Sequence, residues 1–92
     1  MAELRVEIDE LDRELVKTLA TRAGYIDRAI ELKVIEGLPA NIPQRVEQVV
    51  RNVRDRADNY GLDPDLAEQL WRRLIDWSIA REEQVLGCCE IP

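Results

Sequence analysis

One helical seam limits what this chain can become. From about residue 3 to about residue 35, Leu4, Ile8, Leu11, Leu15, Thr18, Arg22, Tyr25, Ala29 and Leu32 recur at alternating spacings of four and three. That alternation is the heptad pattern of a helix that packs along other helices. No proline interrupts it. Gly24 is the one weak helix former inside it, at roughly 1 kcal/mol against alanine. Gly37, Leu38 and Pro39 supply the stop. At about 1.5 Å per residue such a helix is about 48 Å long, whereas a compact globule of this size is only about 30 Å across. The helix therefore overhangs its own globule, and the overhang carries the same apolar seam. A second copy of the same helix, related by a two-fold axis, is the simplest cover. The expected fold class is all-α: a three-helix chain with a long first helix, paired into an intertwined helical homodimer.

Two further helices follow. Asn41 can cap the second, with Gln44 three residues on as in a capping box and Pro43 tolerated in the first turn. Val46, Val49, Val50, Val53, Ala57 and Tyr60 give its apolar face, and Asn59-Tyr60-Gly61 ends it. Asp63-Pro64 opens the third, a cap followed by proline at the first helical position. That helix turns Leu66, Leu70, Trp71, Leu74, Trp77 and Val85 inward and ends at Gly87. Residues 1–87 are thus one helical domain, and residues 88–92 read as a C-terminal tail. Its adjacent Cys88 and Cys89 neither staple a fold nor complete a tetrahedral metal site. At 92 residues the expectation is a single domain with none appended. With no apolar run of about 18 residues and no hydrophobic signal region at Met1-Ala2-Glu3-Leu4-Arg5, the expected location is the cytoplasm, without membrane association.

Absences narrow the chemistry. The chain has no histidine, and its only serine is Ser78. A Ser-His-Asp triad, a Cys-His pair and a histidine-ligated zinc or haem are all outside its repertoire. The net charge of −6 makes a general nucleic-acid binder a poor fit. Any reaction this chain carries out needs little acid–base or covalent help, and nothing calls for a metal or cofactor.

The informative residues are polar ones on the seams. Arg22 occupies a core position, and Lys33 lies eleven residues on, three turns plus about 20° around the helix. Both project from one face, with Cα atoms roughly 16 Å apart, a span over which two long side chains can grip one small anion. The simpler alternative is a pair of cations with solvated heads, or partners for carboxylates. Arg5 lies seventeen residues before Arg22 and points elsewhere on its own helix; an antiparallel partner brings it to the other copy's site. Arg45 is in the first turn of the second helix. Ser78 and Glu82 stand i, i+4 on an otherwise apolar stripe of the third. The simpler alternative for each is a residue at the edge of the helix face. Eleven of the thirteen cations are arginine, whose planar fork holds carboxylates bidentately.

These residues resemble the all-helical (AroQ-class) chorismate mutases and the related isochorismate pyruvate lyases. The resemblance runs from about residue 3 to residue 86. It is carried by Leu4-Arg5, Ile8-Asp9-Glu10-Leu11-Asp12, Leu15-Val16, Leu19 with Arg22, Lys33, Arg45 and Leu74-Ile75-Asp76-Trp77-Ser78-Ile79. It implies a dimer of three-helix chains with two shared active sites and a small dicarboxylate substrate. By position, Arg5 resembles the arginine lent to the partner's site, and Arg22 the one that grips the enolpyruvyl carboxylate. Lys33 resembles the donor to the ether oxygen, and Arg45 an arginine at the ring end. Ser78 matches a site serine, and Glu82 falls where many members have glutamine and some glutamate. Two positions depart from the mutases: Val46 stands where many carry a glutamate for the ring hydroxyl, and Ile42 where many carry an aspartate. Pro43-Gln44-Arg45-Val46 and Trp77-Ser78-Ile79-Ala80 look like the lyases.

The resemblance therefore implies chorismate mutase activity, the rearrangement of chorismate to prephenate in aromatic amino-acid biosynthesis. Lys33, Glu82 and Arg22 are then the catalytic residues, and Arg5, Arg45 and Ser78 also bind substrate. The alternative is isochorismate pyruvate lyase, giving salicylate and pyruvate with the same cations. A third reading, a helical interaction module that kept the fold, predicts no saturable Arg22-dependent binding of a dicarboxylate.

Overall fold

A computed structural model describes residues 1–87 of the 92. They form three helices, α1 (Ala2–Glu36), α2 (Pro43–Tyr60) and α3 (Pro64–Leu86), and no strand among the described residues. The chain is elongated, 56 × 23 × 21 Å, because α1 outruns the other two. Cys88, Cys89 and the rest of the expected tail lie outside the described residues.

Local signals set most of the ends. Gly37 takes the left-handed conformation at φ 71°, and the Leu38 N–H donates to the Lys33 carbonyl at 3.0 Å. That closes α1 with the 6→1 bond of a glycine-terminated helix. Residues 34–36 belong to the helix, so the connector is only 37–42. Gly61, at φ 76°, ends α2 in the same way. The Asp63 carboxylate accepts from the Asp65 N–H at 2.9 Å, capping α3 ahead of Pro64 as expected.

The start of α2 departs from expectation. Asn41 does not cap it; the boundary residue is Ile42, extended at φ −118° and ψ 96°, with no side-chain cap. The pyrrolidine ring of Pro43 disfavours helical backbone in the residue before it, so the helix cannot begin earlier.

α3 packs against both other helices, whereas α1 and α2 do not pack on each other. α2 and α3 are antiparallel: Arg54 meets Glu68 at 2.7 Å, and Arg72 reaches Glu68 at 2.7 Å and Glu47 at 3.3 Å. Arg72 first, then Arg54, holds the Glu68 carboxyl below the usual glutamate range. Beneath this clamp Val53, Ala57 and Ala67 are buried, Ala67 with only 1% exposure. α1 runs in the same direction as α3 and buries Ile30.

Other apolar positions remain outside this core. Tyr60, expected to face inward, is 88% exposed. Leu66, Leu70, Trp77 and Val85 are also exposed, because α3 turns Ala67, Ile75, Ser78 and Glu82 to its neighbours instead. The seam of α1 is uncovered at Leu4, Ile8, Leu11 and Leu15. Among the described residues no helix is long and apolar enough to cross a membrane.

Candidate active site

Because α1 and α2 each pack on α3 but not on each other, a cavity of about 230 Å³ opens between them. On α1 its wall is Arg22, Ile26, Ala29 and Lys33, at spacings of four, three and four. This is one face of a helix, and it carries the expected arginine and lysine at its two ends. α3 contributes Ile75, Ser78, Ile79 and Glu82, and α2 contributes Arg45, Val46 and Val49. The connector adds Ala40 and Ile42. Three cations, one serine and one carboxylate thus surround an otherwise apolar space.

Five of the six residues singled out from the sequence meet here: Arg22, Lys33, Arg45, Ser78 and Glu82. Arg5 does not. It lies in the first turn of α1, seventeen residues or roughly 26 Å of helix before Arg22, outside this chain's cavity.

Glu82 is the buried charged group of the site, and Lys33 is its partner. Lys33 Nζ is 3.0 Å from Glu82 Oε1, and it donates to the Ala40 carbonyl at 2.9 Å. The two side chains are 18% and 6% exposed. The pairing supplies the charged partner that the linear order of the sequence did not reveal for Glu82. An ammonium has three donors, so two of these contacts leave one for a ligand in the cavity. Ser78 Oγ donates to the Leu74 carbonyl at 2.9 Å, a back-bond within α3 that leaves its lone pairs free. Arg45 Nη1 is steadied by Gln48 Oε1 at 2.9 Å. Arg22 lines the cavity and forms no ion pair among the described residues.

The arrangement suits one small, rigid dianion. Cations at separated points hold carboxylates, apolar walls exclude water, and the Lys33–Glu82 pair marks one fixed polar locus between them. In a space of low dielectric such groups act more strongly than in water. Sequence reasoning missed Ile26, Ala29 and Ala40. The first two were findable, since they fill the arc between Arg22 and Lys33. The Ala40 carbonyl carries no side-chain signal at all.

Residues 4–83 match the family described as chorismate mutase type II. The chain belongs to the type II chorismate mutase family. It is 28% identical over 86 residues to the chorismate mutase of Methanocaldococcus jannaschii, covering 94% of this chain and 87% of that one. It is 32% identical over 83 residues to the isochorismate pyruvate lyase of Pseudomonas aeruginosa, covering 89% and 80%. It is 36% identical over 84 residues to the T-protein of Haemophilus influenzae, covering 91% of this chain but 22% of that protein. The chain thus spans about a fifth of the T-protein and most of the other two. In this family member the cavity end beside Arg45 is lined by Ile42, Val46 and Val49, with no carboxylate among them.

Proposed function

We propose that the chain is a chorismate mutase, converting chorismate to prephenate, and that it works as a homodimer with two shared sites. The observation that carries this reading is the grouping of Arg22, Lys33, Arg45 and Glu82 around one apolar cavity. The rearrangement breaks one C–O bond as one C–C bond forms, and no residue need give or take a proton. That agrees with a chain without histidine. The site holds the compact conformer and places donors where the ether oxygen gains negative charge. Arg22 holds the side-chain carboxylate, while Lys33, held in place by Glu82, faces the ether oxygen. Arg45 and Ser78 serve the ring end. A preorganised donor of this kind is worth about 3–4 kcal/mol.

Arg5 of a second copy completes the set. Leu4, Ile8, Leu11 and Leu15 lie on the same overhanging part of α1 and are exposed in a single chain. Burying them against another α1 brings each Arg5 away from its own cavity and toward the other.

A second reading is the lyase reaction on isochorismate, favoured by Ile42 and Val46, which place no carboxylate beside a ring hydroxyl. One experiment separates the two. Chorismate and isochorismate are supplied separately, and prephenate, salicylate and pyruvate are followed. Prephenate from chorismate supports the mutase, and salicylate with pyruvate from isochorismate supports the lyase. No turnover of either, with no Arg22-dependent binding of a dicarboxylate transition-state mimic, overturns both.

A further inference from the structure

Two ion pairs join α1 to α3 among the described residues. One is Lys33–Glu82 on the cavity side. The other is Asp27–Arg81, in which Arg81 Nε donates to Asp27 Oδ1 at 2.6 Å and Nη2 to Oδ2 at 3.1 Å. Six residues separate Asp27 from Lys33, which places them about 120° apart around α1. Arg81 and Glu82 are adjacent and so about 100° apart around α3. The two pairs therefore flank opposite sides of one helix contact, with the buried Ile30 on the α1 arc between them. The Arg81 guanidinium is further fixed over the Trp77 ring, 5.4 Å from its centroid.

We propose that Asp27 and Arg81 form a positioning brace that sets the roll of α1 against α3 and thereby the placement of Lys33 in the cavity. This rests on the functional reading above, in which Lys33 turns to substrate. The third Lys33 donor meets substrate only if α1 keeps its roll on α3, and Asp27–Arg81 is the second ionic tie that holds this roll from the other side of the contact. A side chain reaches about 5–6 Å from its helix axis, so a roll of about 10° moves its tip by about 1 Å. A misplacement of that size can cost as much as about 100-fold in rate at a preorganised site, and a smaller roll costs less. Both partners are about half exposed, at 50% and 45%, so the pair adds little to stability and its effect is on geometry.

The test uses Asp27→Asn, Arg81→Gln and the reversed pair Asp27→Arg with Arg81→Asp. Each protein is assayed for kcat and KM on chorismate and on isochorismate and melted thermally. In parallel the Lys33 side-chain ammonium is observed by nitrogen-edited NMR, which is simple to assign because the only other lysine is Lys17. Each single variant is expected to lose about tenfold in kcat, with KM within about threefold and little change in Tm. The Lys33 signal moves in both and returns in the reversed pair, along with most of kcat. A Lys33 signal unmoved in the single variants overturns the brace, and so does a kcat loss that the reversed pair fails to recover. Wild-type protein inactive on both substrates, with a Lys33 signal that still moves and returns, retains the brace and overturns the functional reading instead.

Discussion

Lys33 Nζ on α1 lies 3.0 Å from Glu82 Oε1 on α3, in a contact almost closed to solvent. Each of these two groups is stable in its place because of the other. A buried charge without its partner costs far more than the intact pair contributes.

Lys33→Met therefore leaves the Glu82 carboxylate facing an apolar wall, and the fold loses about 3–5 kcal/mol. Lys33→Met combined with Glu82→Met replaces the pair by apolar groups of similar volume. That double variant recovers to within about 1 kcal/mol of wild type while remaining without mutase activity. Urea titrations check this, and a double variant less stable than the single one contradicts it.

Glu82→Gln keeps an oxygen that accepts from the Lys33 ammonium and adds an N–H donor beside it. The mutase rate of this variant is expected to stay within about tenfold of wild type, whereas Glu82→Ala, which leaves Lys33 without its partner, loses about 100-fold. Steady-state kinetics on chorismate check this, and an alanine variant as active as wild type removes Glu82 from the site.

The α2–α3 clamp makes its own pH prediction. Hydrogen bonds from Arg72 and Arg54 hold the Glu68 carboxyl below its ordinary range in the folded chain. A carboxyl depressed on folding stabilises above its unfolded pKa, and the contribution disappears as pH falls through the folded one. The stability difference between wild type and Glu68→Gln is thus full above about pH 5 and shrinks as pH falls below about 4. Urea midpoints measured across pH 2 to 7, in round figures, check the sign; a difference that grows on acidification contradicts it.

Shared sites can be tested by complementation. Arg5→Ala and Arg22→Ala chains each lose most activity as homodimers, by about 100-fold or more. Unfolded together and refolded, they give mixed dimers in which one site keeps both arginines. Activity then rises toward about a quarter of the wild-type value, as expected for random pairing with one intact site per mixed dimer. A mixture no more active than its components means that Arg5 does not serve a partner's site. Light scattering on the wild type gives twice the chain mass of 10.6 kDa if the overhang is covered by a second copy.

Much of this protein is determined locally. The heptad seam, Gly37, Gly61 and the Asp63-Pro64 cap act within a few residues of themselves, so three helices and their ends were legible in order. The rotation of about 100° per residue also made it legible that Arg22 and Lys33 share a face, as do Ser78 and Glu82. Docking decided the rest. Which apolar residues of α3 are buried depends on its roll between α1 and α2, and Ala67 and Ile75 are inside while Trp77 and Val85 are not. The helix α2 begins at Pro43 rather than Asn41, because the constraint proline places on Ile42 prevails over a favourable cap residue. Above all, the partner of Glu82 lies forty-nine positions earlier in the chain, and Asp27 lies fifty-four before Arg81. Spacing along a helix reveals which side chains share a face, whereas only the packing of one helix on another brings opposite charges from distant segments within hydrogen-bonding reach.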